Sequence, residues 1–279
     1  MSDITLINDS EQSSLVTNGL AKNGELYLKK EGSTNAGAIV VYDSGVWRTF
    51  VNEAAGYSNN YSLDFDGTDD YLDISGISSA INSWTDVSWS GWYKGTDTSG
   101  YIFRASPAGV ANPHIGMSIS GGKLFGVVFD GSSQSSNTHQ STINNGSWHH
   151  IAVTFNGSTG VITTYVDSVA CTTSVVNQGA SIGTGYTAAN IGRRPSSSHL
   201  YTDGLIDEFA IWGSELSSSN ITTIYNSGTP DNITTLSPYG WWRMGDNDNG
   251  TGTTITDQGS GSNNGTLTNG PTFSTNVPS

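Results

Sequence analysis

Hydrophobic and polar residues alternate along most of this chain, in short stretches with a period of two. Successive side chains of a β-strand point to opposite faces, so this alternation predicts half-buried strands. Glycine and asparagine separate the stretches, and residues 156–160 supply the positive-φ positions that a hairpin turn needs. Short strands at this spacing predict an all-β sandwich. The predicted strands are 61–65, 71–74, 87–95, 101–105, 115–120, 123–129, 148–155, 160–167, 190–194 and 205–212.

One stretch, at 217–228, has the periodicity of a helix instead. A serine or asparagine cap opens it, and Ile221, Ile224 and Tyr225 form an apolar face at positions i, i+3 and i+4. Gly228 ends it, because glycine readily adopts the left-handed conformation that follows a helix. We therefore expect one short helix in an otherwise all-β chain.

Residues 1–56 differ from the rest, with a polar lead followed by three short alternating segments. Turn residues at 35–37 and 43–45 lie between these segments, so we predict a small β-meander. Such a meander cannot bury enough apolar area alone. We expect it to mediate attachment to other proteins or oligomerisation, with a homo-oligomer expected and a trimer favoured. Its apolar residues are Leu26, Leu28, Ile39, Val41, Trp47 and Phe50.

The composition supports a folded core and disfavours several partners. Hydrophobic residues make up 34% of the 279 residues and charged residues 12%, with 8 Trp, 12 Tyr and 8 Phe. The net charge of −14 repels phosphate backbones and anionic membranes, so we expect no nucleic-acid and no membrane partner. The one cysteine, Cys171, cannot form an intrachain disulfide. Neither a membrane span nor a signal peptide is visible, which predicts synthesis in a host cytoplasm without a signal peptide.

Four motifs occur in an order that resembles a known domain. They are YSLDFDGTDDYLDI at 61–74, SWSGWYKG at 88–95, SWHHIAVTFNGSTGVITTYVD at 147–167, and NIGRR at 190–194 followed by GLIDEFAIWGSELSSSNITTIYNSG at 204–228. Together they resemble the laminin-G-like jelly roll of the concanavalin A-like lectin/glucanase superfamily, of the kind found in bacteriophage structural proteins. The resemblance implies an antiparallel jelly-roll β-sandwich over residues 57–279.

The C-terminal stretch 239–273 resembles the opening of such a domain, which normally precedes the FDG strand rather than following the helix. Trp241, Trp242 and Met244 give this stretch enough apolar surface to require cover. Either the domain is circularly permuted, or the chain carries a truncated second copy. Because no second FDG-to-helix unit follows, we favour permutation, in which strands 239–273 complete the sandwich.

The sequence contains no constellation typical of an enzyme, so we predict a protein without catalytic activity. Glycoside hydrolysis needs a pair of carboxyl groups about 5–9 Å apart. Asp207 and Glu208 are adjacent, and neighbours on a regular strand point to opposite faces. The same rule separates His149 and His150, of which we expect one in the core and one exposed.

A structural calcium ion is implied by the resemblance. Asp207 matches the strand carboxylate that holds the ion at the rim of related sandwiches, and Asp66 and Gly67 match the loop beside it. Hard oxygen ligands suit Ca²⁺. The alternative is that Asp207 caps a turn or hydrogen-bonds neighbouring amides.

Sugar binding needs an aromatic platform with polar groups, on loops at one end or on the concave sheet. Two arginines stand out because lysine and arginine number only 10. They could instead pair with local carboxylates. The strand tryptophans Trp89, Trp92 and Trp148 are expected in the core. The candidate carbohydrate-binding residues are Arg193, Arg194, His199, Tyr201, His114 and Tyr101.

These features predict a structural or adhesion protein of a bacteriophage virion, in a capsid, fibre or tail. The jelly roll would bind carbohydrate on the host cell surface, and residues 1–56 would attach to other virion proteins. Segment 37–50 resembles the short β modules at the base of phage fibres. The alternative is a bacterial surface or exported carbohydrate-binding module, and a glycoside hydrolase or lyase is the least favoured function.

Overall fold

A computed structural model describes two compact units, Met1–Ser58 and Asn59–Ser279. The residues that it describes are 5–7, 26–29, 39–43, 46–50, 57–110, 112–172, 175–176, 181–195 and 200–279.

The first unit contains one sheet of four short strands. Strand β1 (Thr5–Ile7) pairs in parallel with β2 (Leu26–Lys29), and β2, β3 (Ile39–Asp43) and β4 (Val46–Phe50) follow as an antiparallel meander. The alternation indicated the last three strands and missed β1, which is too short to display a period. The predicted turns at 35–37 and 43–45 lie largely outside the described residues. The attachment role of 1–56 stays a prediction.

The second unit is a sandwich of two antiparallel sheets, as predicted. We call the first the front sheet, with strand order β11-β10-β9-β8-β16-β6-β20-β19. Its strands are β6 (Tyr71–Asp73), β8 (Ser99–Ser106), β9 (His114–Ser120), β10 (Lys123–Phe129), β11 (Gln134–Thr142), β16 (Ala188–Ile191), β19 (Thr254–Ile255) and β20 (Gly265–Thr268).

The other sheet, which we call the back sheet, has the order β14-β13-β12-β7-β17-β5-β21. Two short strands join it beside this path, since β15 pairs with β13 and β18 pairs with β17. Its strands are β5 (Ser62–Asp66), β7 (Val87–Lys94), β12 (His149–Asn156), β13 (Val161–Val166), β14 (Val169–Ala170), β15 (Val175–Val176), β17 (Asp203–Trp212), β18 (Gly240–Trp242) and β21 (Thr272–Ser274).

The core lies between the two sheets and is built by the alternation seen in the sequence. Every second residue of a strand points inward, as with Trp89 and Tyr93 of β7 and Ile151 and Val153 of β12, all fully buried. Trp92 is also buried, but it points away from this core and stacks on Tyr225 at 6.0 Å between ring centroids. The prediction of a core position is therefore right for Trp89, whereas Trp92 lies on the outer side of the back sheet.

Two short helices connect strands. Helix α1 (Ser78–Ile81) follows a 3₁₀ turn, and α2 (Ser218–Tyr225) lies where the sequence predicts a helix. The Ser217 hydroxyl accepts the Asn220 N–H at 3.2 Å, which satisfies an amide that has no partner within the helix. Asn226 adopts φ 43° and ends the helix. Among the described residues, no helix is long and apolar enough to span a membrane.

The C-terminal strands lie in both sheets of the sandwich. Strand β18 pairs with β17, β20 pairs with β6, and β21 pairs with β5. These pairings bury the apolar side chains that the sequence marked as needing cover, with Trp242 and Met244 fully buried and Trp241 nearly so.

Candidate functional site

An aromatic and arginine-rich surface covers the outward side of the front sheet. In β8, Ile102, Phe103 and Ala105 belong to the core, and a register shift between Tyr101 and Phe103 interrupts the alternation. Tyr101 and Arg104 therefore point away from the core, on the same side of the sheet. We call this surface the Tyr101 face, defined by Tyr71, Tyr101, Arg104, Ser118, Phe125, Asn190, Arg193 and Arg194.

A cavity of about 310 Å³ opens on the Tyr101 face. Two aromatic rings and three serine hydroxyl groups line it, together with Leu200, which is 48% exposed. Gly100 allows close packing of β8 against the segment at Tyr201, because a Cβ atom there would lie 3.0 Å from the Tyr201 carbonyl oxygen. The lining residues are Ser99, Gly100, Tyr101, Ser118, Ile119, Ser120, Gly121, Phe125 and Leu200.

Arg104 lies beneath the Tyr101 ring and is only 4% exposed. Its Nη1 donates to the Tyr101 hydroxyl at 3.3 Å, and its guanidinium carbon lies 5.3 Å from the ring centroid. Burial lowers the pKa of Arg104 to about 10; Tyr101 raises this pKa and the positive charge of Arg194 lowers it. The side chain remains positively charged at neutral pH and holds the orientation of Tyr101.

Arg193 and Arg194 of the Tyr101 face follow strand β16 and lie next to Tyr201 and Leu200. Arg193 forms an antiparallel bridge with Tyr201, and the Arg194 N–H donates to the Leu200 carbonyl oxygen at 3.3 Å. The Arg193 guanidinium stacks 3.4 Å above the Tyr71 ring, and its Nε donates to Asn190 Oδ1 at 3.1 Å. The Arg194 guanidinium lies 5.9 Å from the Tyr101 ring centroid.

The structure thus brings together four of the six candidate carbohydrate-binding residues, namely Tyr101, Arg193, Arg194 and Tyr201. His114 belongs to the same side of the front sheet, two residues along β9 from Gly116, which pairs with Arg104. Its ring packs against Phe129 at 5.3 Å, and it is 9% exposed. His199 lies outside the described residues.

The sequence reasoning missed Arg104, Ser118 and Phe125 as members of this surface. A signal for Arg104 was present, because it is the one charged residue within the apolar strand YIFRA. A charge at such a position either points away from the core or requires a partner inside it.

The structure does not bring Asp207 together with Asp66 and Gly67, the proposed calcium ligands. Asp66 pairs with Asp203, four residues before Asp207 on β17, which is about 13 Å at the usual strand rise. Gly67 adopts φ 73°, and a Cβ atom there would lie 2.9 Å from the Cβ of Asp203. The loop therefore packs on Asp203 instead.

Asp207 is fully buried and forms hydrogen bonds with amides. Its Oδ2 accepts from Asn59 Nδ2 at 2.9 Å and its Oδ1 from the Glu208 N–H at 2.8 Å. Burial raises the pKa of Asp207 well above its usual range, and the charge of Glu208 raises this pKa further. These contacts correspond to the alternative for Asp207, in which it hydrogen-bonds neighbouring amides.

Asp66 instead lies beside two other carboxylates at the rim of the sandwich. One oxygen from each of Asp66, Asp69 and Asp70 lies within 4.8 Å of the others. Asp66 Oδ1 accepts the Thr68 N–H at 2.8 Å, and Asp70 Oδ2 accepts the Asp66 N–H at 3.2 Å. Burial raises the pKa of Asp70, and so do the charges of Asp66 and Asp69. Carboxylate oxygens in this arrangement are the donors that Ca²⁺ prefers.

Residues 66–222 match the family described as the concanavalin A-like lectin/glucanases superfamily. The chain belongs to this superfamily. No curated protein sequence matches the chain.

Solved structures of the same fold include proteins named for carbohydrates. A protein from Bacteroides ovatus, described as a candidate carbohydrate binding protein, is 15% identical, with 92% of this chain and 71% of that chain covered and a TM-score of 0.54. The CBM40 of the Ruminococcus gnavus IT-sialidase, bound to α2,3-sialyllactose, is 11% identical, with 59% and 96% covered and a TM-score of 0.52. The NanB sialidase of Streptococcus pneumoniae is 15% identical, with 62% and 28% covered and a TM-score of 0.51. At these identities the likeness concerns the fold.

The superfamily includes glucanases, and glycoside hydrolysis needs a pair of carboxyl groups, so the geometry of the two adjacent carboxylates of β17 bears on catalysis. A bulge follows Asp207, with Glu208 at φ 48°, so the expectation that Asp207 and Glu208 point to opposite faces is wrong. The Glu208 carboxylate accepts from Trp241 Nε1 at 2.6 Å and from Arg243 Nε at 3.0 Å. Both acids are buried and hydrogen-bonded to protein groups.

A second aromatic cavity, of about 420 Å³, lies at the back sheet. Trp148 lines it with Trp92 and Tyr225, and Trp148 Nε1 donates to Asn276 Oδ1 at 3.1 Å. Lys94 lines this cavity, whereas two guanidinium groups, those of Arg104 and Arg194, lie 5.3 and 5.9 Å from the ring centroid of Tyr101, which lines the first cavity. The Tyr101 face is therefore the candidate site, and the back-sheet cavity is the alternative.

Proposed function

We propose that this protein binds glycans on the Tyr101 face and has no catalytic activity. The observation that carries the proposal is the cavity that combines the rings of Tyr101 and Phe125 with serine hydroxyls and adjoining guanidinium groups. A sugar ring presents C–H groups on its faces and hydroxyl groups at its edge. Aromatic rings pack against the former, and polar side chains form hydrogen bonds with the latter.

The size of the cavity agrees with a small part of a glycan. Its volume of about 310 Å³ lies at the lower end of the ~300–1,000 Å³ found for small-molecule sites. One or two sugar units of a longer chain would enter, and the rest would remain in solvent. The lectins in the superfamily name and the sialyllactose bound by the related CBM40 support this class of ligand.

The proposal is tested by glycan-array binding followed by titration calorimetry with the full chain. Tyr101→Ala should weaken binding at least about tenfold, because the loss of ~1.4 kcal/mol of ring packing changes the dissociation constant by that factor. Trp148→Ala at the back-sheet cavity is the matched control and should leave the affinity unchanged. Loss of binding in Trp148→Ala with normal binding in Tyr101→Ala would move the site to the back sheet.

We further propose that the glycan belongs to a host cell surface and that the protein is displayed on a bacteriophage particle. The sequence supports this through the phage-like segment 37–50 and the small sheet of residues 1–56, which we propose attaches to other virion proteins. A bacterial surface or exported module could carry the same Tyr101 face. The two proposals differ in what residues 1–56 contact.

Calcium stays a proposal for the rim of the sandwich. The residues that fit the ion are Asp66, Asp69 and Asp70, because their oxygens already lie close together. Asp207 lies too far along β17 to join them. The ion would neutralise the mutual repulsion of the three carboxylates and stabilise the loop after β5.

A further inference from the structure

Positive charge is scarce in the second unit and is concentrated on one surface. Residues 59–279 contain six lysines and arginines in a protein of net charge −14. Half of these six cations, Arg104, Arg193 and Arg194, lie on the Tyr101 face. The six are Lys94, Arg104, Lys123, Arg193, Arg194 and Arg243.

Two of these guanidinium groups are close enough to act on each other. The charge of Arg194 lowers the pKa of the buried Arg104, and both groups lie within 6 Å of the Tyr101 ring centroid. Arg104 is almost fully buried, so its charge is weakly screened by solvent. An anion bound beside Arg194 would be attracted by both charges.

The carboxylates of the rim line a different cavity from the one on the Tyr101 face. Asp64, Asp66, Asp70 and Asp203 line a separate cavity of about 510 Å³ at the end of β5 and β17. Burial raises the pKa of Asp203, and the charges of Asp97, Asp64 and Asp66 add to this increase. An anionic ligand would be repelled from this rim and attracted to the Tyr101 face.

We propose that the Tyr101 face selects acidic glycans, with a sugar ring packed on Tyr101 and Phe125 and its carboxylate or sulfate group bound by Arg194. This inference rests on the proposed function and adds the ligand class. Arg194 is the contacting residue, since it is half-buried and adjoins both Tyr101 and Leu200 of the cavity wall. Its planar guanidinium can donate two parallel hydrogen bonds to a carboxylate or sulfate.

Arg104 is a positioning residue in this arrangement. It is too buried to meet a ligand directly, and it fixes the hydroxyl end of Tyr101. Its charge adds to the positive potential at the cavity. Arg193 has a similar supporting role through its contacts with Tyr71 and Asn190.

The test compares glycans that differ only in their acidic group, with the full chain and titration calorimetry. The pairs are 3′-sialyllactose and its methyl ester, 3′-sulfolactose and lactose, and trigalacturonic acid and its methyl ester. We expect each acidic member that fits the cavity to bind at least about tenfold more tightly than its neutral partner. The sialyl and galacturonate pairs report on carboxylate, and the sulfolactose pair reports on sulfate.

Arg194→Gln should reduce the affinity for the acidic member to that of its neutral partner measured with the same variant. Arg194→Lys should restore only part of the preference, because it keeps the charge and loses the paired donors. Lys94→Gln, which removes a cation at the back sheet, is the matched control and should keep the full preference. Thermal melts of each variant establish that the fold is retained.

Equal binding of acidic and neutral glycans, still sensitive to Tyr101→Ala, would overturn the acidic selectivity and leave the proposed function intact. A preference that survives Arg194→Gln, or that disappears in Lys94→Gln, would overturn the role of Arg194. Absence of binding to any glycan would instead refute the proposed function itself, and the acidic selectivity with it.

Discussion

His150 shows how one buried side chain makes stability depend on pH. It packs beside the stacked pair of Trp92 and Tyr225, with ring centroids 5.3 and 6.1 Å away, and is fully buried. Neither ring nitrogen has a hydrogen-bond partner among the described residues. Burial lowers the pKa of His150 to about 4, although the charge of Asp167 opposes this shift. The neighbouring His149 is different, since its Nδ1 lies 2.8 Å from Asp167 Oδ2.

The lowered pKa of His150 predicts loss of stability in mild acid. Between pH 6.5 and 4 the unfolded state binds a proton that the folded state does not, so the free energy of unfolding falls as pH falls. The contribution of this residue is of the order of 3 kcal/mol over that range. Denaturant melts at pH 7 and pH 4 should show a smaller loss for His150→Phe than for the wild type. His149→Gln is the control and should keep most of the acid sensitivity of His150.

The three carboxylates at the rim, Asp66, Asp69 and Asp70, lead to a prediction about calcium and thermal stability. If Asp66, Asp69 and Asp70 hold Ca²⁺, the ion stabilises the folded state by about 2.7 kcal/mol at a hundredfold excess over its dissociation constant. EDTA should therefore lower the melting temperature of the full chain, and Asp66→Asn should abolish this response. Asp231→Asn, at an exposed carboxylate elsewhere, should leave it intact. A melting temperature that EDTA does not change would contradict calcium binding at this rim.

The C-terminal strands contribute to the sandwich by pairing with strands near the start of the second unit. Strand β21 pairs with β5 and β20 pairs with β6, although more than half of the chain separates them in sequence. Between these strands Asn269 Nδ2 donates to the Asp69 carbonyl oxygen at 3.0 Å, across 200 residues. The last strands therefore shield the edges of β5 and β6 and cover the inner surface with Trp242.

A chain that ends at Gly228 should lose this cover. Without β18 to β21, strands β5 and β6 become partly unpaired, and the apolar surface under Trp242 and Met244 meets water. We expect aggregation, or a melting temperature at least about 10 °C below that of the full chain, in differential scanning calorimetry. Unchanged stability would mean that the C-terminal strands add nothing to the sandwich. A chain lacking only Ser279, an exposed residue, serves as the control.

At the scale of the whole molecule, the two units are suited to different tasks. The described residues of the first unit form one sheet of four short strands, and the outer strands β1 and β4 of such a sheet are places where another chain can add a strand. The second unit carries a closed core and the Tyr101 face. This division is the basis for proposing attachment by residues 1–56 and ligand binding by the sandwich.

A chain that starts at Asn59 should keep the Tyr101 face and lose attachment. Light scattering should report the full chain as an oligomer and the shortened chain as a monomer, because the edges available for strand addition are gone. Glycan affinity per binding site should be the same for both. The decisive comparison is binding to the parent particle or cell surface. If the shortened chain assembles and attaches as well as the full one, the anchor lies within the sandwich.

Alternation in the sequence determined which residues face inward, and therefore the sandwich and the core position of Trp89, and the i, i+3, i+4 spacing of apolar residues determined the helix at Ser218–Tyr225. It also led to Tyr101, Arg193 and Arg194, because aromatic rings and scarce arginines on a β scaffold indicate a ligand surface. These inferences depend on local geometry, in which a strand exposes alternate residues to opposite sides whatever its neighbours are.

Only the tertiary structure decided which strands are neighbours and where the alternation breaks. Arg104 on β8 joins Arg194 because β16 pairs with β8, and Asp66 is separated from Asp207 because β5 meets β17 at Asp203. The bulge after Asp207 turns Glu208 toward Arg243, which a regular strand would not do. Pairing between distant strands is set by how well whole sheets pack together, and that free energy is not encoded in the period of any single segment.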